Sequence, residues 1–298
     1  MGRVSQQGAD SYPRRLADGL WNLGNSYFNL YLVRGKTASL LVDAGISAIA
    51  DEVIGQLGTL GVAPDTLVVT HPHGDHIDGL DALRERFPGM RVVIGPGARE
   101  FLAHPRTAAA LVAEDRFMSE YLVSQGARPG RPPIGKPPSV DGAVVASDGE
   151  TLDLGGLAVR FLHVGGHAIG NLIVHVPALG ALMAADSLGF RLPGIGFFPI
   201  FFTGYADYMA AIDRMEALEP DILCLAHQGP LLGEDARRAF GDAREAARSL
   251  YEEIRRDGRD EEAIIGDLSR RYYRRELSIY TPDNIIGCCR LLIRRSRA

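Results

Sequence analysis

The sequence has few cysteines and no long hydrophobic run. Three of its 298 residues are cysteines, and two of these, Cys288 and Cys289, are adjacent. Three cysteines are too few for a disulfide framework, which favours a reducing compartment. The N-terminal residues lack the apolar stretch of a signal peptide, and the longest strongly apolar run, residues 195–206, is too short to span a bilayer. We therefore expect a cytoplasmic protein without a membrane segment.

The sequence also has no excess of positive charge. Its 37 acidic and 32 basic residues give a formal net charge of −5. This balance argues against a general nucleic-acid binder and against a protein that adheres to anionic membranes. Hydrophobic residues make up 46% of the chain and charged residues 23%, as in ordinary globular proteins. Disorder, collagen and a coiled coil are therefore excluded.

Strand and helix patterns alternate along most of the chain, which predicts an α/β fold. Residues 22–94 indicate the order β-β-α-β-α-β, and strands return between 144 and 226. Residues 98–125 predict one helical stretch, and five prolines make 128–138 an irregular loop. Three helices are predicted towards the C-terminus: 235–257, 260–274 and one that begins at Thr281-Pro282.

These patterns also predict how the chain is divided. We expect a mixed α/β domain over residues 1–232, in which 98–140 form a helical and proline-rich insertion over one face. Residues 233–298 would form a C-terminal helical extension. A length of 298 residues is compatible with this division, because single α/β domains are often long.

A histidine-rich loop directly follows one predicted buried strand. Within six residues it holds four candidate metal ligands: His71, His73, Asp75 and His76. The whole chain has only eight histidines, so three of them in one loop are unlikely to be there by chance. Imidazole and carboxylate groups are ligands that suit zinc or iron. One loop cannot supply two coordination spheres, so a pair of metals would need ligands from elsewhere.

Three further candidate ligands follow other predicted strands: His167, Asp186 and His227. Side chains at strand ends converge on a common rim of a sheet, so we expect these residues to lie near the histidine-rich loop. The complete set contains five histidines and two aspartates. Seven such ligands are enough for two metals that share one carboxylate and one hydroxide.

At this point the sequence resembles the metallo-β-lactamase superfamily. The loop has the family pattern H-x-H-x-D-H, and the three later ligands follow in the family's order. Residues 41–45 resemble the family's strand-Asp-x-Gly, and 148–156 resemble its D-G-x-x-L-x-L-G-G hairpin. The resemblance covers about residues 20–230. It implies a four-layer αβ/βα sandwich with metals in a cleft at one edge.

The resemblance also implies a role for each ligand. The first metal would be held by three histidines: His71, His73 and His167. The second metal would be held by one aspartate and two histidines: Asp75, His76 and His227. Asp186 would bridge the two metals, and Asp43 would orient a ligand without binding metal.

Four positions depart from the family pattern or narrow it to one branch. Gly165-Gly166-His167-Ala168 replaces P-G-H-T, and Ala185-Asp186 replaces G-D, but neither change removes a ligand. His73 stands where the di-iron, oxygen-reducing branch has glutamate, which argues against that branch.

The complete ligand set favours a hydrolase. Two divalent ions roughly 3.5–4 Å apart lower the pKa of a shared water and polarise a scissile carbonyl, so that a metal-bound hydroxide attacks. Asp75 and Asp186 are the candidate catalytic residues, and Asp75 could also move a proton. We expect zinc, with iron or manganese as alternatives.

The loop after Asp186 carries an unusual concentration of aromatic residues: Phe190, Phe197, Phe198, Phe201 and Phe202. One interpretation is packing in the core or in a homodimer. The other is an apolar wall of the substrate pocket, with the C-terminal helices covering the active-site side.

The run Asp186-Ser187-Leu188-Gly189 and the segment Ile286-Gly287-Cys288-Cys289-Arg290 resemble, in alignment, one subgroup of the superfamily. This subgroup is the 2-aminobenzoylacetyl-coenzyme A thioesterase, which also acts as a quinolone-signal response protein. In that alignment Cys288 replaces a pocket serine. The resemblance implies a thioesterase for acyl-coenzyme A or acyl-carrier-protein substrates. The terminal arginines could meet coenzyme A phosphates, or simply end a solvated helix: Arg290, Arg294, Arg295 and Arg297.

Two alternatives remain open. Lactonases for acyl-homoserine lactones place a tyrosine shortly after the bridging aspartate, whereas residues 187–190 contain none and the nearest is Tyr205. A metal-binding regulator that acts through protein contacts is the alternative from another class. Loss of hydrolysis in Asp186→Asn with an unchanged cellular phenotype would favour the regulator.

Overall fold

Two β-sheets form the centre of the computed structural model, which describes residues 12–298. The first sheet has seven strands that are neighbours in chain order. They are β1 (Arg14–Ala17), β2 (Leu20–Gly24), β3 (Asn29–Arg34), β4 (Ser39–Val42), β5 (Thr66–Val68), β6 (Arg91–Ile94) and β7 (Val144–Val145). Strands β1 to β4 pair antiparallel, whereas β4 to β7 pair parallel.

The second sheet is built from the later part of the chain. Its strands are β8 (Thr151–Asp153), β9 (Ala158–His163), β10 (Leu172–Val176), β11 (Ala181–Ala185), β14 (Ile222–Leu225) and β15 (Leu231–Leu232). They lie in the order β15-β14-β11-β10-β9-β8, and only β11 and β14 pair parallel. A separate hairpin consists of β12 (Phe190–Leu192) and β13 (Gly196–Phe198).

The α-helices connect these strands and follow them. Those up to β14 are α1 (Ala50–Thr59), α2 (Gly74–Ile77), α3 (Leu80–Arg86), α4 (Ala98–Ala103), α5 (Pro105–Ser124) and α6 (Tyr205–Glu216). Those after β15 are α7 (Glu234–Arg256), α8 (Glu261–Tyr272) and α9 (Pro282–Arg297). Thr281 caps α9 by accepting a hydrogen bond from the Asn284 amide, and proline follows at the first helical position, as the sequence predicts.

The core has two layers because most strands are buried on both faces. One apolar cluster combines residues of both sheets, for example Tyr31 and Val33 of β3 with Val174 of β10, and therefore fills the space between the sheets. The alternate residues Leu30 and Leu32 belong to a second cluster that includes the helices. This alternation follows from the two-residue period of a strand. The predicted four-layer α/β sandwich is thus confirmed.

The helical stretch predicted over 98–125 is in fact two helices, α4 and α5. His104 separates them in an extended conformation, with φ −72° and ψ 128°. Proline 105 explains the break, because its ring disfavours the helical conformation of the preceding residue and its nitrogen carries no hydrogen. His104 then caps α5 through its own ring nitrogen, which accepts from the Arg106 amide.

The proline-rich loop that follows α5 is tied to the body of the protein by polar contacts. The Arg131 guanidinium pairs with Asp51 of α1 at 2.7 Å and with Glu85 of α3 at 2.6 Å. The buried carboxylate of Asp115 accepts hydrogen bonds from the Ile134 amide and from Ser47. These contacts hold the loop against the helices that cover the first sheet.

The helices after residue 232 pack against the rest of the chain. Helix α7 contacts α6 and β13, and α9 contacts both α7 and α8. Their apolar residues belong to the same cluster as those of α1 and α6. The division into a domain over 1–232 and an extension over 233–298 stays a prediction. Among residues 12–298, no helix is long and apolar enough to cross a membrane. The prediction that the chain has no signal peptide concerns N-terminal residues outside this described range.

Candidate metal centre

The histidine-rich loop is anchored by Asp43, which directly follows β4. One Asp43 oxygen accepts the Thr70 amide at 2.7 Å, and the other accepts the Thr70 hydroxyl at 2.9 Å. The second oxygen also lies 2.9 Å from Nδ1 of His76. Asp43 therefore fixes the beginning of the loop and the ring of His76 with one carboxylate, because β4 and β5 are parallel neighbours and end side by side.

Four histidines share one arrangement, in which Nδ1 hydrogen-bonds away from the centre. The partners are the Thr70 hydroxyl for His71, Asp43 for His76, the Ile200 carbonyl for His167 and the Tyr27 carbonyl for His227. Such contacts fix the orientation of an imidazole and leave Nε2 as its free face. In all four residues that nitrogen points towards the same space.

The seven predicted ligands lie in two adjoining groups. The first contains three histidines: His71, His73 and His167. The second contains two aspartates and two histidines: Asp75, His76, Asp186 and His227. Within each group the candidate ligand atoms all lie within 4.8 Å of one another. The structure therefore brings together every metal ligand predicted from the sequence.

Asp186 lies between the two groups. Its Oδ2 atom is 3.9 Å from Nε2 of His71 and 3.8 Å from Nε2 of His167, both in the first group. The same oxygen is 3.5 Å from Nε2 of His76, and Oδ1 is 3.5 Å from Nε2 of His227. A carboxylate in this position is able to contact ions in both groups.

The histidines of the two groups differ in pKa, because burial and neighbouring charges act on them differently. In the first group, burial lowers the pKa of His73 to about 3 and lowers the pKa of His71 and His167, with further lowering by neighbouring histidines. These rings are neutral and offer lone pairs. In the second group burial also acts to lower the pKa of His76 and His227, but the aspartates outweigh it and raise both values.

The aspartates respond in the opposite direction. Burial alone would raise the pKa of Asp186, but His227 and His76 outweigh it and hold the pKa at about 2. The pKa of Asp75 is lowered for the same reason, mainly by His76 and His227. Both carboxylates are therefore ionised, which is the state in which they bind metal.

Several ligand nitrogens in the two groups find no hydrogen-bond donor among the described neighbouring side chains and could therefore bind cations. Nε2 of His76 is buried without a hydrogen-bond partner among the described residues, and its nearer carboxylate oxygen is 3.5 Å away. Nε2 of His71 faces Nε2 of His167 at 3.2 Å. Lone pairs turned towards one another in this way, next to ionised carboxylates, fit bound metal ions. The donor set suits a dinuclear site.

A cavity of about 750 Å³ adjoins the two groups. Four of the seven candidate ligands line it: His73, Asp75, His167 and Asp186. Its other walls are largely apolar and come from α4, α5, the segment after Asp186 and the C-terminal helices: Phe101, Leu111, Met118, Ile200, Leu277 and Ile285. A substrate in this cavity would be in direct contact with the metal ligands.

A family model described as the metallo-beta-lactamase superfamily matches residues 25–227. The chain belongs to this superfamily. The match begins before β3 and ends at His227, so it contains all seven candidate ligands.

Curated proteins and solved structures of the metallo-beta-lactamase superfamily resemble the chain. A hydroxyacylglutathione hydrolase of Ruegeria pomeroyi is 34% identical over 65% of this chain, which spans 58% of that protein's length. An acyl-coenzyme A thioesterase, MBLAC2, of Gallus gallus is 26% identical over 64% of this chain and 67% of its own. A beta-lactamase domain protein from Burkholderia ambifaria has a TM-score of 0.62 at 21% identity and covers 95% of this chain and 91% of its own, which shows the fold. Family membership and the hydrolase names of relatives support a metal-dependent hydrolase.

One departure from the superfamily pattern has a structural consequence. Ala185, which stands where the pattern has glycine before the bridging aspartate, has φ +46°. A side chain in this left-handed region costs roughly 1–2 kcal/mol.

At position 166, by contrast, the glycine of the family pattern is present. Gly166 has φ +91°, and an added Cβ would lie 2.2 Å from Cα of Tyr208. Glycine at this position allows α6 to approach His167.

The aromatic residues predicted to line the pocket fall into two sets. Three of them, together with Cys288, do line the cavity: Phe190, Phe198 and Phe202. Phe197 and Phe201 are not among the residues that line the cavity, so their place in a substrate pocket stays a prediction. Phe201 is fully buried and contacts Tyr205 and Tyr208, because it points into the core under α6. Phe197 alternates with its neighbour Phe198 on strand β13 and takes the opposite face.

The terminal arginines have different surroundings. Arg290 lines the cavity but pairs with Glu261 and Glu262, at 3.0 and 2.9 Å. Arg295 donates to the Phe202 carbonyl. Arg297 donates to the carbonyl of residue 257. Arg294 also lines the cavity and forms no ion pair with the described residues.

The sequence did not predict that Tyr280 contacts the candidate ligands. Its hydroxyl donates to Oδ2 of Asp75 at 2.7 Å and lies 3.4 Å from Nε2 of His227. Its ring meets Phe190 edge to face, and Phe190 stacks on His227 with 4.5 Å between ring centroids. The one signal in the sequence was its position directly before the Thr281-Pro282 helix start, in a part of the chain expected to cover the site.

Proposed function

We propose that the protein is a zinc-dependent thioesterase that hydrolyses acyl-coenzyme A or acyl-carrier-protein thioesters. The observation that carries this proposal is a cavity with apolar walls that opens directly onto Asp75 and Asp186. An acyl chain bound along these walls would present its thioester carbonyl to the metal ligands. A volume of about 750 Å³ lies within the usual range of small-molecule sites.

The proposed ligand sets follow the two groups of side chains. One metal would be held by His71, His73 and His167, the other by Asp75, His76 and His227. Asp186 would contribute to both, since its oxygens lie within 4 Å of histidines of each group. Imidazole and carboxylate suit zinc, with iron or manganese as alternatives. When bound, two divalent ions supply Lewis acidity for the carbonyl and lower the pKa of water.

The chain's own residues would perform the remaining steps. Asp75 lines the cavity and is ionised, but its lowered pKa makes it a weak base. It would therefore accept a hydrogen bond from the attacking water and orient it, while the departing thiolate takes a proton from solvent. The apolar walls would bind the acyl chain and exclude bulk water. Arg294 on the cavity wall would pair with a phosphate of the thiol portion. Two relatives are named for hydrolysis of acyl compounds, and one of these names is thioesterase.

A rate comparison tests the proposal. Metal-replete protein is assayed with a panel of acyl-coenzyme A thioesters and a panel of acyl-homoserine lactones, with Asp186→Asn as the blank. We expect thioester rates well above lactone rates, and their loss in the variant because Asp186 serves both groups. Fast lactone opening with little thioester cleavage would overturn the thioesterase assignment.

A lactonase is the second candidate, and Tyr280 is the observation that favours it. The tyrosine nearest to Asp186 along the chain, Tyr205, stacks on Tyr251 with 3.7 Å between ring centroids and does not line the cavity. Tyr280 brings a hydroxyl to the cavity from the C-terminal segment instead. That hydroxyl has one proton, which it donates to Asp75, so it would have to turn away from Asp75 to donate to a lactone oxygen. The same rate comparison separates the two functions.

A further inference from the structure

Tyr280 contacts the second ligand group without belonging to it. We propose that Tyr280 is a positioning residue that fixes the Asp75 carboxylate and thereby sets the metal affinity of the group formed by Asp75, His76 and His227. The C-terminal segment would then complete a metal site whose ligands all come from earlier in the chain. This inference rests on the metal-binding part of the proposed function and not on its substrate.

The geometry around Asp75 is specific. The Tyr280 hydroxyl donates to Oδ2 of Asp75 at 2.7 Å, and the same oxygen lies 3.2 Å from Nε2 of His227. Among the described residues no other hydroxyl or amide donates to Asp75. An ionised carboxylate has several lone-pair directions and rotates about its bond to Cβ. The phenol occupies one direction and so determines where the remaining lone pairs point.

The position of Tyr280 is itself well determined. The Tyr273 hydroxyl donates to the Tyr280 carbonyl at 3.0 Å. The next residue, Thr281, donates its amide and its hydroxyl to the Glu114 carboxylate on α5, at 3.2 and 2.5 Å. Phe190 supports the ring edge to face. Contacts from α5, α8 and the start of α9 thus hold the hydroxyl at one point.

The two ligand groups differ in this respect, which gives the proposal its test. Each of four histidines already has a partner on Nδ1. Among the described residues Tyr280 supplies the one hydroxyl that donates to Asp75, whose other polar contacts are with its fellow ligands His76 and His227. No hydrogen bond or ring contact joins Tyr280 to the first group, His71, His73 and His167. Removal of the hydroxyl should therefore affect one metal and leave the other unchanged.

The experiment is a zinc titration of metal-free full-length protein against a chromophoric chelator. For Tyr280→Phe we expect one of the two zinc affinities, that of the second ligand group, to fall about 10- to 100-fold. The other zinc affinity should stay within about twofold. Tyr205→Phe is the matched control, because it removes a phenol oxygen from a residue that does not line the cavity. Two unchanged affinities in Tyr280→Phe would overturn the proposal, as would an equal loss of both.

Cobalt gives a second readout that a merely structural role would not change. The d–d absorption of cobalt in one of two sites should change in Tyr280→Phe and not in Tyr205→Phe. If Tyr280→Phe fails to fold, the same titration of Tyr280→Leu carries the same expectation. Neither measurement uses a substrate. A wild-type protein with two zinc ions but no thioesterase activity would therefore contradict the proposed function and leave this inference standing.

Discussion

The carboxylate of Asp43 lies 2.9 Å from Nδ1 of His76. This contact leaves Nε2 of His76 facing Asp186, where it has no hydrogen-bond partner among the described residues. A histidine oriented by a carboxylate is more basic at its other nitrogen and binds metal more tightly. Asp43 and Tyr280 thus act on the same ligand group from opposite sides.

Asp43→Asn should weaken metal binding in the second group. The amide keeps one oxygen only, so it cannot serve both Thr70 and His76 as the carboxylate does. We expect a 10- to 100-fold loss of affinity for one of two zinc ions, measured by chelator competition. Asp65→Asn is the control, because Asp65 accepts similar hydrogen bonds from Ser39 at the far end of β4. An unaffected zinc affinity in Asp43→Asn would refute the orienting role.

The two ligand groups should release different numbers of protons when each binds its metal ion. Burial lowers the pKa of His73 to about 3, so this ring is already neutral near pH 7. The aspartates raise the pKa of His76 and His227 despite burial, so these rings hold protons to a higher pH than the rings of the first group, and a metal must displace those protons. Affinity for the second metal should therefore rise with pH, while affinity for the first stays nearly constant from about pH 6 upward.

Isothermal titration calorimetry in buffers of different ionisation enthalpy measures this release. One binding step should release protons to the buffer and the other should release almost none. Equal proton numbers for both steps would show that the two groups do not differ in protonation.

Ala185→Gly should stabilise the protein. Ala185 has φ +46°, which costs a side-chain-bearing residue about 1–2 kcal/mol, and glycine removes most of this strain at some entropic cost. We expect the free energy of unfolding to rise by about 0.5–1 kcal/mol in a urea titration. Ala184→Gly on the same strand is the control and should lower it by about as much or more. Lower stability of Ala185→Gly would contradict the interpretation.

Arg294→Ala should raise KM for acyl-coenzyme A substrates. An ion pair between an exposed arginine and a phosphate is worth about 1 kcal/mol, which corresponds to roughly a fivefold change. The same acyl group on a thiol without phosphate should show no change. Arg297→Ala removes an equal charge from α9 at a residue that does not line the cavity, and should leave both KM values unchanged. An equal rise for both thiols would exclude phosphate recognition.

Cys288→Phe should shorten the preferred acyl chain. Cys288 lines the cavity, and the larger ring would occupy volume that a long acyl chain needs. Overpacking of this kind costs about 1–3 kcal/mol, so kcat/KM for long-chain thioesters should fall by about tenfold or more. Acetyl thioester hydrolysis should be retained. Cys288→Ala controls for loss of the thiol alone and should keep the long-chain activity. A uniform loss across chain lengths would place Cys288 outside the acyl pocket.

The site could be predicted best from the sequence where a ligand-type residue follows a predicted strand. His167, Asp186 and His227 each follow a strand, and the ends of strands in one sandwich meet at one edge. Their convergence with the histidine-rich loop could therefore be predicted. The break at His104, by contrast, was not predicted, although the proline at position 105 disfavours a continuous helix.

Features that depend on distant packing could not be predicted in this way. Phe197 and Phe198 have the same chemistry, and only the pleat of β13 against the core decides which one reaches the cavity. Tyr280 is separated from Asp75 by 205 positions. A hydrogen bond over that distance depends on how α9 packs, which the local pattern of the sequence does not contain.

The hydrogen bonds between Glu114 and Thr281 join α5, in the first half of the chain, to the start of α9. The metal ligands come from short loops at strand ends, whereas much of the cavity wall comes from these two joined segments. The candidate metal ligands and much of the cavity wall therefore lie in separate stretches of sequence. Under the proposed function, substitutions in α5 and α9 would change which acyl groups fit, while the seven candidate ligands stay the same.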